Sequence, residues 1–426
     1  MNETILIHFS GRDRPGLIAQ LTAILARYNT CVLDIGQAVV HETLSLGLLV
    51  EVPRNPGLSG LQQALASEAD EMGLQVSFTT IGDADLEEWL SSQGRDQFIV
   101  TILGRAISAD HLSRVTAVIA QHGLNVDRIE RLSGRPSLAV HTPDAIACVE
   151  LMVNGNISSE QSMRAAFLDT AHALKIDIAF QRESIFRRNR RLFAFDMDST
   201  LIEGEVIDEL ARLAGVGNEV AGVTEAAMRG ELEFKESFRR RVALLRGLPE
   251  ARVRELLHTI PLVEGAEHLI GTLRMLGYKT AILSGGFLFF ARHLQARLGI
   301  DYVYANDLDI RDGVVTGEVR TRIVDGARKA ELLKEIAREE NISLEQIVAV
   351  GDGANDLPML GIAGMGIAFR AKPLVRQTAS HAVSFLGLDS LLYLIGVRDR
   401  DLIGSDEASS SSTGESSMEG AAGRTT

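Results

Sequence analysis

Two aspartates one residue apart, in Asp196-Met197-Asp198-Ser199-Thr200, are the first residues whose spacing could do chemistry. Two carboxylates held together off solvent need a metal ion or a cationic side chain to neutralise them. Further along, Ser284-Gly285-Gly286-Phe287 offers a hydroxyl and glycine N–H groups that could cradle a phosphoryl oxygen. Gly351-Asp352-Gly353-Ala354-Asn355-Asp356 is an acid-rich turn whose carboxylates could complete an oxygen-ligated Mg²⁺ site. Between them, Lys329 opens a helix over 330–339. Taken singly, the aspartate pair also fits a solvated turn, and Lys329 an ordinary surface lysine.

The elements that must position these residues share one form. Leu192 to Phe195, Lys279 to Leu283 and Gln346 to Val350 are short apolar runs of the kind that make buried parallel strands, and each delivers polar residues at its C-terminal end. That edge of an open α/β sheet is where ligands bind. Val303–Ala305 and Met365–Phe369 read as further strands, and Ile310–Val319 as a hairpin turning at Asp312-Gly313.

With D-x-D-x-T at 196–200, Ser284, Lys329 and G-D-G-x-N-D at 351–356 in this order, the chain resembles the haloacid dehalogenase superfamily of phosphotransferases. The resemblance covers roughly 192–385 and implies a Rossmann-like parallel sheet with a cap. It implies that Asp196 is the nucleophile, forming an aspartyl-phosphate. Asp198 would be the general acid and then base, while Lys329, Ser284 and the Gly285 N–H would stabilise the phosphoryl oxygens. The metal, Mg²⁺, would sit on Asp196, Asp352 and the backbone carbonyl of Asp198, with Asp356 orienting the site.

Four short amphipathic segments, Glu203–Leu213, Glu219–Arg229, Phe234–Leu245 and Glu250–Leu257, predict a small helical cap over about 203–260. Within it, Glu205, Met228-Arg229-Gly230-Glu231-Leu232-Glu233-Phe234 and Ser237 to Val242 resemble the phosphoserine phosphatases. That likeness implies L-phosphoserine as substrate. Glu205 would take the ammonium and Arg241 fork onto the carboxylate, with Met228 and Phe234 walling the pocket and Asn355 touching phosphate. Transfer of the phosphoryl group to another alcohol instead of water stays open, as does a non-catalytic amino-acid sensor.

The front of the chain twice shows a strand-helix-strand-strand-helix-strand order, the ferredoxin-like βαββαβ pattern, over 1–82 and 97–182. In the second copy the third strand could be Ser137–His141 or Ala145–Val153. Both copies resemble ACT domains, the first through Ser10-Gly11-Arg12-Asp13-Arg14-Pro15-Gly16-Leu17. The second has Leu103-Gly104-Arg105-Ala106-Ile107 and lacks the Asp and Pro-Gly. The resemblance implies either L-serine as an effector near Gly11 and Gly104 or an assembly role, and a homodimer or larger homo-oligomer. Asp83 to Gly94 reads as an acidic connector, Arg187 to Arg191 as a solvated basic linker, 190–400 as the catalytic domain and 405–426 as a disordered tail.

Bulk composition agrees with a multidomain globular chain: 426 residues, 46% hydrophobic, 23% charged. A net charge of −14 argues against nucleic acid as a partner. No apolar run is long enough for a membrane helix and no basic leader precedes an apolar core, so a cytoplasmic protein is expected. Cys31 and Cys148, each in an apolar stretch, read as buried packing residues rather than a disulfide. Gly215-Val216-Gly217 follows a helix and so is no dinucleotide fingerprint, and no histidines have H-E-x-x-H spacing.

Overall fold

A computed structural model describes residues 2–54, 57–92, 96–135, 145–320 and 322–402. The chain divides into two units, 1–95 and 96–426. In the first, β1 (Glu3–Arg12), α1 (Leu17–Arg27), β2 (Cys31–Val40), β3 (Thr43–Val52), α2 (Leu58–Glu71) and β4 (Leu74–Ile81) form an antiparallel sheet in the order β2-β3-β1-β4. Alternate residues Ile5, Ile7 and Phe9 of β1 are buried against Leu21 and Ile24 of α1 and Leu61 and Leu65 of α2, as a sheet covered on one face requires. Two expectations change here. The acidic connector is a helix, α3 (Asp83–Ser92), with Asp83 and Asp85 in its first turn, where the helix dipole favours them. Cys31 is exposed, because β2 is an edge strand whose residues all face solvent.

The second unit begins with the same pattern. Strands β5 (Gln97–Gly104), β6 (Asn125–Arg131), β7 (Ala147–Asn154) and β8 (Asp177–Arg182), with α4 (Ala109–Gln121) and α5 (Glu160–Leu174), form a sheet in the order β6-β7-β5-β8. The third strand is thus the later alternative; Ser137–His141 falls on 136–144, outside the described residues.

From β9 (Leu192–Phe195) the chain leaves for the cap, α6 (Val206–Ala214), α7 (Gly217–Met228), α8 (Phe234–Leu244) and α9 (Glu250–Leu256). It returns through α10 (Ala266–Met275), β10 (Lys279–Phe287), α11 (Leu288–Leu298), β11 (Tyr302–Asn306) and the hairpin β12 (Leu308–Arg311) and β13 (Val314–Val319). It ends with α12 (Gly326–Glu339), β14 (Ile347–Gly351), α13 (Leu357–Ile362), β15 (Met365–Phe369), α14 (Pro373–Thr378), β16 (His381–Val383), α15 (Leu391–Leu394) and α16 (Asp399–Leu402). The six-stranded sheet is parallel throughout, in the order β11-β10-β9-β14-β15-β16. Strand β9 is buried along its whole length, and the chain order switches direction on either side of it. The crevice past its end lies at that switch.

The basic linker is solvated only in part: Arg188 and Arg191 are exposed, but Arg187 and Arg190 are buried. Arg187 is 1% exposed and bonds Glu150 of β7, with Glu183 at 3.7 Å. Arg190, 7% exposed, donates to the Glu345 carbonyl. The second ferredoxin-like sheet packs on the parallel-sheet core and buries Arg187 and Arg190 of the connector: Leu103, Leu132, Cys148 and Ala179 share a core with Leu391 to Ile395. Asp177 accepts the Ser384 and Phe385 N–H groups at 2.6 and 3.1 Å, and Gln181 donates to the Leu394 carbonyl at 3.0 Å. Local charge density in the sequence cannot reveal that apposition. Among the described residues no helix is long and apolar enough to cross a membrane.

Candidate active site

The ends of β9, β10 and β14 converge. Asp196 follows β9 and is tied to its neighbour strand by its N–H to the Val350 carbonyl, 2.9 Å. Its Oδ1 accepts from the Met197 N–H at 2.7 Å and lies 2.8 Å from Lys329 Nζ, so one oxygen is held and the carboxylate plane is set. Lys329 lies one turn into α12, completely buried, and its Nζ also meets Asp356 Oδ1 at 2.6 Å. Asp356 Oδ2 in turn accepts the Gly353 N–H at 2.9 Å, which closes the acid turn. Carboxylate oxygens of Asp196, Asp352 and Asp356 lie within 4.8 Å of one another.

The electrostatics follow from that crowding. Burial lifts the Asp196 carboxyl well above the usual range, as does the Asp356 charge, while Lys329 opposes the shift. Burial, then Asp356, pushes Asp352 up to about 7. For Lys329 burial favours the neutral amine, but Asp196 and Asp356 outweigh it and the ammonium is retained. Nearby cations therefore leave the acids incompletely neutralised, which is the condition a hard divalent ion with oxygen ligands would satisfy.

Asp198 faces the other side of the crevice. Its Oδ1 accepts the Val206 N–H, at the start of α6, at 2.9 Å. A Cβ at Gly286 would come within 2.3 Å of Asp198 Oδ2, so only glycine fits there. Burial, then the charge of Glu205, pushes the Asp198 carboxyl up to about 8, which favours its protonated form. Ser284 is fully buried and its Oγ accepts the Gly286 N–H at 2.8 Å. Gly285 is approached by Phe234 and Asn355, 3.0 and 3.8 Å from where its Cβ would be.

Cap residues sit on this floor. Glu205 is the N-cap of α6, half-buried, and its Oε1 accepts from Ser199 Oγ at 3.4 Å. Arg241 of α8 is half-buried with its Nε lacking a partner among the described residues, and its charge bears on Glu205, Asp208 and Asp198. Phe234 stacks on Phe238 with centroids 6.2 Å apart. Met228 ends α7 and is 68% exposed. Gly11 is the penultimate residue of β1 in the first unit, and Gly104 ends β5 in the second.

Three contributors escape a motif reading. Asn306, fully buried at the end of β11, donates to the Gly285 carbonyl at 2.7 Å and accepts the Val324 N–H at 2.8 Å, which holds the phosphate cradle. Its only sequence signal is a polar residue ending an apolar strand. Gly286 belongs to the cradle motif through its N–H, but the motif does not reveal that its missing Cβ makes room for Asp198 Oδ2. Lys372 N donates to the Asp352 carbonyl at 3.4 Å, and its charge lowers the carboxyls of Glu205 and Asp352.

A parallel sheet, a helical cap and acids with a buried lysine at the switch point define a capped phosphotransferase core. Residues 193–361 match the haloacid dehalogenase-like hydrolases, and 3–79 and 97–181 each match the ACT domain. Among solved structures, a hydrolase of this class from Salmonella enterica serovar Typhi superposes with a TM-score of 0.61 at 31% identity, covering 70% of this chain and 99% of that one. An unliganded probable phosphoserine phosphatase from Vibrio cholerae gives 0.54 at 28% identity, over 74% and 90%. A phosphoserine phosphatase of Streptomyces coelicolor is 42% identical over 95% of this chain and 94% of its own, and one of Mycobacterium tuberculosis 37% over 95% of each. The chain belongs to the phosphoserine phosphatase family.

Proposed function

We propose that the chain hydrolyses L-phosphoserine to L-serine and phosphate through an aspartyl-phosphate on Asp196, as the closing step of serine synthesis. The observation that carries the mechanism is Lys329, buried between Asp196 and Asp356 at 2.8 and 2.6 Å. An Asp196 oxygen attacks phosphorus and the bond from phosphorus to the serine oxygen breaks. Asp198, whose protonated form burial favours, gives its proton to that leaving oxygen. A water then attacks the phosphorus of the intermediate, Asp198 takes its proton, and Asp196 is released. Lys329, Ser284 and the Gly285 N–H bind the phosphoryl oxygens throughout. Asp196, Asp352 and the Asp198 carbonyl would hold Mg²⁺, which when bound screens the repulsion between anionic nucleophile and anionic ester.

Substrate choice rests on Glu205 for the ammonium and Arg241 for the carboxylate; the unpartnered Arg241 Nε supports this, since a buried donor calls for an acceptor. The test is phosphate release with Mg²⁺ from L-phosphoserine and from p-nitrophenyl phosphate, by wild type and Glu205→Ala. Selective loss on phosphoserine is expected; equal rates on both esters, unmoved by the substitution, would send the substrate assignment elsewhere. Loss-free turnover by Asp196→Asn would refute the covalent route.

The ACT domains are read as sensing serine near Gly11 and Gly104 and as joining copies through edge strands such as β2, where Val32, Leu33, Ile35 and Val40 are exposed. Serine should lower turnover of the full chain and lose that effect when 1–182 are removed. A chain insensitive to serine but dimeric by light scattering would leave assembly alone. A reducing, cytoplasmic setting suits two free cysteines, one buried and one exposed.

A further inference from the structure

Two connectors tie the cap to the core, and they are paired. The Glu203 N–H donates to the Pro261 carbonyl and the Val263 N–H to the Leu201 carbonyl, both at 3.0 Å, with Ile202 and Leu262 forming an antiparallel bridge between them. Each connector carries one acid facing the same arginine. Arg370 Nη1 lies 3.4 Å from Glu203 Oε1, and its Nη2 lies 3.0 Å from Glu264 Oε2 and donates to the Leu386 carbonyl at 3.2 Å.

Arg370 is itself firmly based. It directly follows β15, stacks on Phe369 at 5.3 Å, and its N–H donates to the Val383 carbonyl at 2.7 Å. Its φ of 43° is a conformation few non-glycine residues adopt. The outgoing connector is short: the Ser199 N–H bonds the Gly204 carbonyl at 2.9 Å, which closes the segment 199–204, and Glu205 follows directly as the N-cap of α6. Glu203 thus stands two residues before Glu205 on one short connector.

A second arginine reaches the same acid from another domain. Arg105, next to Gly104 in the loop after β5, bonds Glu264 Oε1 through its Nη2, while Arg370 holds the other oxygen. The backbone carbonyl of Glu264 accepts the Leu388 N–H at 2.8 Å, so this acid is anchored to the core as well.

We propose that Arg370 is a positioning residue that clasps both cap connectors and so places Glu205, and that Arg105 couples the first loop of the second ACT domain to this clasp through Glu264. The inference rests on Glu205 reading the substrate ammonium. It also gives that loop a physical route to the active site: displacing Arg105 leaves the Glu264 carboxylate paired with Arg370 alone, which loosens the returning connector.

The readout is the ratio of kcat/KM for L-phosphoserine to that for p-nitrophenyl phosphate, which lacks the amino acid groups, measured on the full chain with Mg²⁺. Exposed and half-exposed ion pairs acting together set the scale. Arg370→Ala should lower the ratio about three- to tenfold, mostly through the KM for phosphoserine, and Arg370→Lys should recover part of it. Arg105→Ala should lower it about threefold, and the effects of Arg105→Ala and Glu264→Gln should be non-additive. An unchanged ratio in soluble Arg370→Ala and Glu203→Gln would overturn the clasp. Strict additivity of Arg105→Ala with Glu264→Gln would overturn the coupling. Wild type inactive on phosphoserine would refute the substrate reading instead, and with it the basis for this inference.

Discussion

Replacing Lys329 by Met keeps the length of the side chain and removes its charge, which separates the two roles the lysine plays. At an effective dielectric of about 20, its contacts with Asp196 and Asp356 are each worth about 6 kcal/mol of attraction, against which the cost of burying the ions must be set. Measured losses on breaking a buried pair by removing one partner run to about 3–5 kcal/mol, and Lys329→Met should fall in that range at pH 8. The loss must depend on pH. Without the ammonium, the Asp196 carboxyl is raised further above its unfolded value, so stability is full below the unfolded value and is lost as pH rises through the folded one. The gap from wild type should therefore be smaller at low pH than at high pH, changing by at most about 1.4 kcal/mol per pH unit. Trp89, the sole tryptophan, lies in α3 of the other unit, so its fluorescence reports the wrong region. Urea titrations read by hydrogen exchange of the β9 and β14 amides report the right one. Activity on phosphoserine should drop at least about 10²-fold, the scale of losing one preorganised charge on a transferring phosphoryl group. A variant within about 1 kcal/mol of wild type at pH 8 with its activity inside tenfold would refute the account of this lysine.

Asp198→Asn should slow phosphoserine hydrolysis by about 10²–10⁴-fold. With p-nitrophenyl phosphate, whose leaving group needs no proton, it should instead give a burst of nitrophenol and accumulate phosphorylated protein; a uniformly slow reaction without a burst would count against the assigned proton transfers. Arg241→Lys keeps the charge but loses the planar fork, and should raise KM for phosphoserine about tenfold while hardly changing that for the plain ester; parallel changes on both esters would argue for a purely structural arginine. Burial holds His381 of β16 neutral, its imidazole pushed down to about 3. Because the folded value is depressed, the stability it confers is full above about 6.5 and drains away as pH falls from there towards 3. Urea midpoints of wild type should thus drop from pH 7 to pH 5 more steeply than those of His381→Asn, and equal slopes would contradict this.

The sequence alone determined what depends on short range and on residue chemistry. An apolar run of four residues ending in Asp196 reads as a buried strand that hands acids to a sheet edge, and it is the same grammar repeated at Ser284 and Asp352 that marked the parallel core and its motif residues. The period-two and helical patterns of the first 182 residues likewise specified two βαββαβ modules, because register and face follow from local alternation. What only the tertiary structure decided depends on which surfaces meet. Arg187 and Arg190 look like solvated charges until the second ACT domain is packed on the core, where Glu150 and a carbonyl take their place as partners. Cys31 looks like a core thiol until β2 is seen to be an edge strand. Met228 matches a motif, yet lies at an exposed helix end. Asn306 and Arg370 lie outside every motif, since their work is to join segments far apart in the chain: a carbonyl at 285 to an N–H at 324, and connectors at 203 and 264 to the end of β15. Such contacts have no local period or spacing, and burial by a distant element is what turns an ordinary side chain into a structural one.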